Sequence, residues 1–178
     1  MTMTTDKLSL IRPTPDLATA FHQTILEFRE NGELNIESIY DRSERDFSVY
    51  QQFCLDAETG KNLPREFVPQ TTFWMVRNKQ YIIGISHLRH YLTPGLKIEG
   101  GHIGYSIRPS ERNKGYGTQQ LALILKVCRL FDLTKVMITC DFDNIGSQKI
   151  IEKNGGIRSG EAISPRTNKL VYHYWITL

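Results

Sequence analysis

The chain has 178 residues, of which 40% are hydrophobic and 23% charged, and its formal net charge is +3. This length and composition are typical of a soluble globular protein, and we expect residues 1–178 to form one domain. Because the charge is small and the basic residues are spread along the chain, neither nucleic acid nor an anionic membrane surface is expected as a partner.

The first elements along the chain are a strand and a helix. Leu8 to Ile11 is a short strand candidate. Thr14 can cap a helix whose first position is Pro15, and Asn31 with Gly32 gives that helix a stop. Ser43 and Asp46 then resemble a capping box, which predicts a second helix that ends near Gly60.

A hairpin follows the prolines of the next loop. Thr71 to Arg77 and Tyr81 to His90 are rich in aromatic and β-branched residues, and they flank a short turn at Asn78 and Lys79. We expect these segments to pair as antiparallel strands. Pro94 and Gly95 predict one more turn.

Gly101 to Thr118 (GHIGYSIRPSERNKGYGT) joins a strand to a helix through a glycine-rich turn. Apolar and other residues alternate up to Pro109, which ends the strand. An amphipathic helix follows, so its N-terminus lies at Gly115 and Gly117. Because the first turn of a helix has unpaired N–H groups and a partial positive charge, this segment predicts a phosphate site.

Three phosphate-binding patterns compete for this turn. A Walker A loop fails because Thr118 and Gln119 follow Gly117 where lysine is required. The Rossmann fingerprint is half present, with Asp141 near the expected acidic position but Gln120 in place of the third glycine. The third pattern, RxxGxG, is complete.

Arg112, Gly115 and Gly117, set between a GYxIRP-type strand and an amphipathic helix, closely resemble the acetyl-CoA-binding motif of the GNAT superfamily of N-acetyltransferases, of the predicted bacterial acetyltransferase type. The resemblance continues downstream through a strand at Lys135 to Asp141, an Asn-led helix from Asn144 to Ile157 and a last strand in the tail. It covers roughly residues 70–178.

The resemblance implies an α/β (mixed α+β) fold with a central, mixed, splayed β-sheet of about six to seven strands flanked by about four helices. Periodicity alone indicates only α/β or α+β. In such a fold residues 8–69 supply the N-terminal strand, the helices and the acceptor-site loops, and residues 70–178 form the acetyl-CoA-binding core.

The resemblance also implies which residues bind the acetyl-CoA co-substrate. Main-chain amides of the turn are expected to contact its phosphates, and Arg112 and Lys114 add positive charge there. A main-chain N–H at Ile107 is expected to stabilise the oxyanion. Asn144 or Ser147 is expected to contact the pantetheine arm or the thiol. Alternatively, Asn144 only caps its helix and the basic residues are only solvated. The residues expected to offer amides are Asn113, Gly115, Tyr116, Gly117 and Thr118.

An amine that attacks a thioester must first lose its extra proton, so the site needs a base. His102 is the first candidate and Glu99, acting through water, the second. Ser147 or Tyr174 can protonate the thiolate that leaves. The tyrosine that many GNAT proteins use as the acid falls at Ile151. Each of these side chains also has a purely structural interpretation.

The leading hypothesis is an N-acetyltransferase that transfers an acetyl group to a primary amine of a small molecule or peptide in a ternary complex. The runner-up is a non-catalytic acyl-CoA-binding or sensing module, and a nucleotide-binding oxidoreductase is third. An acidic bias between residues 30 and 46 favours a cationic amine, or is simply a solvated helix face. The bias comes from Glu30, Glu33, Glu37, Asp41, Glu44 and Asp46.

Three cysteines, Cys54, Cys128 and Cys140, have no CxxC spacing, and neither a metal nor a disulfide is expected. The N-terminus lacks the pattern of a signal peptide and no window approaches 18 apolar residues, so we expect a cytoplasmic protein with no membrane partner. A homodimer is left open.

Overall fold

The computed structural model describes residues 7–42, 45–65 and 67–178. Seven strands are present there: β1 (Leu8–Ile11), β2 (Gln70–Arg77), β3 (Tyr81–Arg89), β4 (Ile103–Ile107), β5 (Lys135–Asp141), β6 (Ile157–Ile163) and β7 (Leu170–Thr177). The helices are α1 (Ala18–Glu30), α2 (Ser38–Arg42), α3 (Phe47–Thr59), α4 (Pro94–Ile98), α5 (Tyr116–Leu130) and α6 (Ile145–Lys153). Short 3₁₀ turns occupy Pro15–Leu17 and Pro109–Glu111.

The strands form two antiparallel sheets, one of four strands in the order β1-β2-β3-β4 and one of three in the order β5-β7-β6. The predicted hairpin is β2 and β3, with Gln70 opposite Arg89 and Arg77 opposite Tyr81. Its turn residues, Asn78 and Lys79, have φ of 52° and 61°. Positive φ at both central residues fits the right-handed twist of the two strands.

The two sheets meet where β4 begins. The His102 amide donates to the Met137 carbonyl (2.7 Å), and the Met137 amide donates to Nδ1 of His102 (2.9 Å). Gly101 makes this approach feasible because a Cβ there would lie 2.5 Å from the Met137 oxygen. Among the described residues, β4 and β5 are not paired as neighbouring strands of one sheet. The two strands therefore separate toward Ile107 and Asp141. This is the splay that was expected, and it opens a cleft.

Two hydrophobic cores lie on opposite faces of the four-stranded sheet. One packs the predicted apolar face of α5 against both sheets, through Leu121, Ile124, Leu125 and Cys128. The other packs α1 and α3 against β2 and β3, where Phe21 stacks on Trp74 and on Tyr50. The helices thus cover both faces and leave the open end of the cleft accessible.

The predicted α/β fold is confirmed: the described residues form seven strands, which lie in two antiparallel sheets rather than one mixed sheet, and six helices where about four were expected. Several local predictions need correction. Thr14 makes no side-chain capping bond, and α1 begins after a 3₁₀ turn. Asp46 caps α3, whereas Ser43 lies outside the described residues. The expected turn at Pro94 is the start of α4, capped by Thr93.

Helix α2 and strand β6 were not predicted, because their sequences carry no clear pattern. Helix α2 is only five residues long, too short for an amphipathic pattern. Strand β6 is an edge strand of mostly exposed residues, paired only with β7, so it lacks the apolar alternation of a half-buried strand. Among the described residues, no helix combines the length and apolar character needed to cross a membrane.

Candidate active site

A cleft of about 570 Å³ lies at the open end between β4 and β5, against the N-terminal ends of α5 and α6. The 3₁₀ turn and loop after β4 form one side of it and the first turn of α6 the other. The residues lining it are Glu33, Tyr105, Ser106, Ile107, Glu111, Arg112, Asn113, Gly115, Tyr116, Gly117, Thr118, Asn144, Gly146, Ser147, Ile150 and Lys153.

The N-terminus of α5 points its free amides into this cleft. Gly115 is the N-cap with φ of 80°, a left-handed conformation that suits glycine. Within the described backbone, the first α5 amide bonded to an i−4 carbonyl is that of Gln119, which donates to Gly115 (3.3 Å). The N–H groups of Tyr116, Gly117 and Thr118 therefore remain for a ligand, as the first turn of a helix dictates.

The basic side chains of the loop are already paired. Arg112 donates from Nε to the Ile107 carbonyl (3.0 Å) and from Nη2 to both carboxylate oxygens of Glu33 (2.7 and 2.8 Å). Lys114 lies 3.2 Å from a carboxylate oxygen of Glu111. Each cation lies beside a carboxylate that offsets its charge, and Arg112 ties the loop to the Ile107 carbonyl and to Glu33.

Strand β4 also offers amides to the cleft. On either side of β4, the main-chain N–H of Arg108 donates to the Ile83 carbonyl, and the main-chain carbonyl of His102 accepts from the Arg89 N–H. By the same alternation, the even-numbered residues of β4 direct their main-chain groups toward β3. Because main-chain groups alternate in direction along a strand, the N–H groups of Tyr105 and Ile107 point away from β3 and toward the cleft. The Ile107 amide is thus directed as an oxyanion donor requires.

A pair of hydroxyl groups crosses the cleft from β4 to α6. The Tyr105 hydroxyl lies 2.9 Å from Oγ of Ser147. Asn144 caps α6 by accepting from the Ser147 amide (3.0 Å), which fixes the position of Ser147. Burial raises the pKa of Tyr105 well above that of a free phenol, so this hydroxyl keeps its proton. Sequence reasoning missed Tyr105, although it stands within the GYSI motif.

Ile151 and Tyr174 belong to the hydrophobic core rather than to the cleft. Ile151 is fully buried and Tyr174 is 1% exposed, and neither lines the cleft. The Tyr174 hydroxyl contacts Oε1 of Glu152 at 3.5 Å. Of the two residues proposed to protonate the thiolate, the structure brings only Ser147 to the cleft.

His102 has a different position from the one expected of a base. It is 6% exposed and lies at the closed end of the splay. Its Nδ1 accepts from the Met137 amide, so the neutral ring carries its proton on Nε2 and has no free lone pair. Burial, with a smaller contribution from the Arg89 charge, lowers the pKa of His102. The geometry gives His102 the role of joining the two sheets.

Glu99 lies at the end of α4 and holds the loop between β6 and β7. Its carboxylate accepts from the Ser164 hydroxyl and from Arg166, each at 2.6 Å. Glu99 does not line the cleft. The geometry therefore indicates a structural role for this residue also.

The three thiols are buried and unpaired. Burial is the main reason why the pKa of Cys54 and of Cys128 rises to about 12 and that of Cys140 to about 11. Thiols held in this state are poor nucleophiles. Within the described parts of the chain, no group of three or more His, Cys, Asp or Glu side chains is placed to hold a metal.

The predicted cofactor-binding residues are largely brought together: all except Lys114 line the cleft. The structure also places in the cleft Glu33 and Lys153, which were not predicted to bind the cofactor. Glu33 arrives from the end of α1, and Lys153 from the last turn of α6, because the fold and not the local pattern brings them there.

The sequence and the fold both have known relatives. The family model described as "Acetyltransferase (GNAT) domain" matches residues 9–157. A search of curated proteins found no match. Solved structures that share the fold include the ribosomal L7/L12 α-N-protein acetyltransferase RimL with coenzyme A, the microcin C7 self-immunity acetyltransferase MccE with acetyl-CoA and AMP, and a chimera of spermidine N-acetyltransferase SpeG from Vibrio cholerae and hSSAT.

The RimL structure has a TM-score of 0.71 and 19% identity, covering 96% of this chain and 94% of the other. The MccE structure has a TM-score of 0.69 and 15% identity, with 98% and 94% covered. The SpeG chimera has a TM-score of 0.65 and 15% identity, with 96% and 95% covered. Since the family model spans most of the sequence and the strand, glycine turn and Asn-capped helix are all in place, the chain belongs to the GNAT family of acetyltransferases.

Proposed function

We propose that the protein is an acetyl-CoA-dependent N-acetyltransferase that moves the acetyl group directly to a primary amine of a small molecule or peptide. The observation that carries the proposal is the cleft itself, where the α5 amides can hold a pyrophosphate while the Tyr105 and Ser147 hydroxyls stand beside it. Acetyl-CoA is bound in one structural relative, and coenzyme A in another.

The proposed reaction takes place in a ternary complex. The amine nitrogen forms a bond to the acetyl carbon, the carbon–sulfur bond breaks, and the nitrogen releases a proton to solvent. The cleft-facing N–H of Ile107 stabilises the oxyanion, and the Tyr105–Ser147 pair supplies a proton to the departing thiolate. A covalent acetyl-cysteine route is disfavoured because burial keeps all three thiols protonated.

A primary amine as acceptor is supported by charge and by analogy. Acidic side chains from the end of α1 through α2 favour a cation, although Arg29 and Arg45 pair with Asp41 in that region. The structural relatives named above are described as acting on a ribosomal protein α-amine and on spermidine. We further propose that residues 8–69 provide the acceptor contacts and that residues 70–178 form the acetyl-CoA-binding core. We also propose that the enzyme is cytoplasmic. That the chain forms a single domain, and that it forms a homodimer, remain predictions.

The alternative is a non-catalytic acyl-CoA-binding module, and one observation favours it. The position of the usual acid is Ile151, whose side chain is fully buried. The hydroxyl pair of Tyr105 and Ser147 offsets that loss. The NAD-linked oxidoreductase hypothesis has no support from the family match.

Calorimetric titration with acetyl-CoA, CoA and NAD, followed by thiol release with a mixed panel of amines, tests the proposal. We expect binding of both CoA species, no binding of NAD, and thiol release that depends on an acceptor. Binding without release from any amine favours the sensing module. No binding of acetyl-CoA contradicts the proposed function.

A further inference from the structure

The guanidinium of Arg89, at the end of β3, has hydrogen-bonding capacity that the fold does not use. The residue is half-buried. Its Nη1 donates to the main-chain carbonyls of Gly100 and Gly101, each at 3.1 Å. These are its only hydrogen bonds within the described parts of the chain, so the N–H groups on Nε and Nη2 are left for another partner.

No carboxylate among the described residues pairs with this cation. Other half-buried arginines have such a partner, since Arg29 pairs with Asp41 and Arg108 with Glu27. Burial lowers the pKa of Arg89. A cation that is partly withdrawn from water and faces only carbonyl dipoles lacks the opposite charge that buried cations usually have. An anion bound at the guanidinium would supply that charge.

The unused edge of the guanidinium has the shape that a carboxylate requires. Arginine binds a carboxylate best through two parallel N–H···O bonds from its planar fork. Because two loop carbonyls hold Nη1 of Arg89, the edge formed by Nε and Nη2 is the one that can make this pair. The same carbonyls restrain the side chain, so little further conformational entropy is lost when a carboxylate binds.

Arg89 lies on a face of the sheet that leads to the cleft. Side chains alternate along a strand, so Arg89 shares its face with His87 and with the His87 partner on β4, Gly104. A Cβ built on Gly104 would lie 3.9 Å from Nη1 of Arg89, and apart from its chain neighbours no other described atom lies within 4 Å of that position. Ser106 follows on the same face and lines the cleft. Residues two apart on a strand lie about 7 Å from each other, so a small molecule held at Arg89 can reach the cleft.

Charges of both signs are present on this face. The Glu37 carboxylate lies against His87, two residues before Arg89 on β3. An amine that carries only positive charge, such as a polyamine, would be repelled by the guanidinium. An amine that also carries a carboxylate would form an ion pair there instead. The charges therefore favour an acceptor that carries both groups.

We propose that Arg89 binds a carboxylate of the acceptor and that the acceptor is of the amino acid class, an inference that rests on the proposed N-acetyltransferase function. The carboxylate pairs with Nε and Nη2, and the amine lies over Gly104, directed toward the acetyl group in the cleft. Arg89 is a specificity residue in this arrangement, and it takes no part in proton transfer or in binding acetyl-CoA.

The test measures thiol release from acetyl-CoA by the full-length chain with two matched panels, amino acids and the corresponding amino acid amides. We expect the wild type to use the acids with a kcat/KM about tenfold or more above that for the amides. Arg89→Gln should lower kcat/KM for the acids by about ten- to hundredfold, as expected for lost hydrogen bonds to a charged group, and leave that for the amides within a few-fold. Acids and amides differ in amine basicity, but that difference cancels when their ratio is compared between proteins.

Arg12→Gln is the matched control, because Arg12 pairs with Glu58 and does not line the cleft. Its acid-to-amide ratio and its acetyl-CoA Kd should equal those of the wild type. The acetyl-CoA Kd should also be unchanged in Arg89→Gln, which shows that the fold is intact. Arg89→Lys keeps the charge but loses the planar fork, so it should recover only part of the preference for acids.

The inference is overturned if the wild type uses both panels equally, uses only the amides or uses neither. It is also overturned if Arg89→Gln keeps the full preference for acids. The wild-type comparison decides the matter even if Arg89→Gln does not fold. In each of these cases acetyl-CoA binding leaves the proposed function standing, whereas a wild type that binds no acetyl-CoA contradicts the proposed function itself.

Discussion

The hydroxyl of Tyr105 lies 2.9 Å from Oγ of Ser147, and this contact joins β4 to α6 across the cleft. It places two proton-bearing groups where a departing thiolate needs one. The position of the usual helix tyrosine, Ile151, faces the core instead and is fully buried. In the proposed reaction, the Tyr105–Ser147 pair takes the place of that tyrosine as the acid.

Ser147→Ala should lower kcat by about 10²-fold, the low end for general acid catalysis, because a thiolate leaves readily even without a proton. Tyr105→Phe should give a smaller decrease, since the Ser147 hydroxyl remains. Steady-state thiol release measures both effects, and calorimetry should show acetyl-CoA affinity within a few-fold of the wild type. Equal kcat in wild type and Ser147→Ala would exclude this acid.

Replacing His102 should affect stability more than proton transfer. His102→Leu leaves the buried Met137 amide without its acceptor, which we expect to cost about 1–3 kcal/mol in the free energy of unfolding. Urea denaturation measures this cost. If the variant is as stable as the wild type but inactive, His102 has a chemical role after all.

The lowered pKa of His102 also predicts how the stability of the protein depends on pH. Burial lowers the pKa of His102 in the folded state. The contribution of the neutral ring to the free energy of unfolding is therefore complete above the unfolded-state pKa of about 6.5. It is lost as the pH falls from there through the folded-state pKa. Wild type should therefore lose more stability between pH 7.5 and 5 than His102→Leu. Parallel curves for the two proteins would contradict this expectation.

Glu33 brings a negative charge to the cleft, where it pairs with Arg112. Because both side chains are partly exposed, the pair itself adds little stability. Glu33→Gln should tighten acetyl-CoA binding by about two- to fivefold at low salt, since it removes repulsion of the phosphates, and the gain should shrink at high salt. Weaker binding would mean that Glu33 is needed to position Arg112.

Gly115 is the residue whose backbone conformation the anion site requires. A Cβ there meets no atom within 4 Å, so the cost of Gly115→Ala comes from its φ of 80°. We expect about 1–2 kcal/mol of destabilisation and weaker acetyl-CoA binding, as the amides of α5 shift. Gly95→Ala serves as the control, because Gly95 lies inside α4 and a Cβ there would make only an ordinary contact with Oγ1 of Thr93, at 3.9 Å. Unchanged affinity in Gly115→Ala would argue against the amide cradle.

Local patterns predicted the local elements well. Positive-φ residues at Asn78 and Lys79 fit the predicted hairpin, the apolar face of α5 is buried as its spacing indicated, and Asn144 caps α6. Pro94 and Gly95 predicted a turn where α4 begins, because proline and glycine serve equally in a turn and in the first positions of a helix. The exposed strand β6 carried no apolar alternation to detect.

The phosphate-binding turn and the family can be recognised in the sequence alone, because a strand, two glycines and a helix start are contiguous and their chemistry is that of the main chain. The partners of individual side chains, in contrast, follow from the tertiary structure. Two histidines look alike in sequence, yet His102 faces a main-chain N–H at the junction of the sheets while His87 faces a carboxylate and a hydroxyl. What a titratable group can do depends on its partners, and these come from residues distant along the chain.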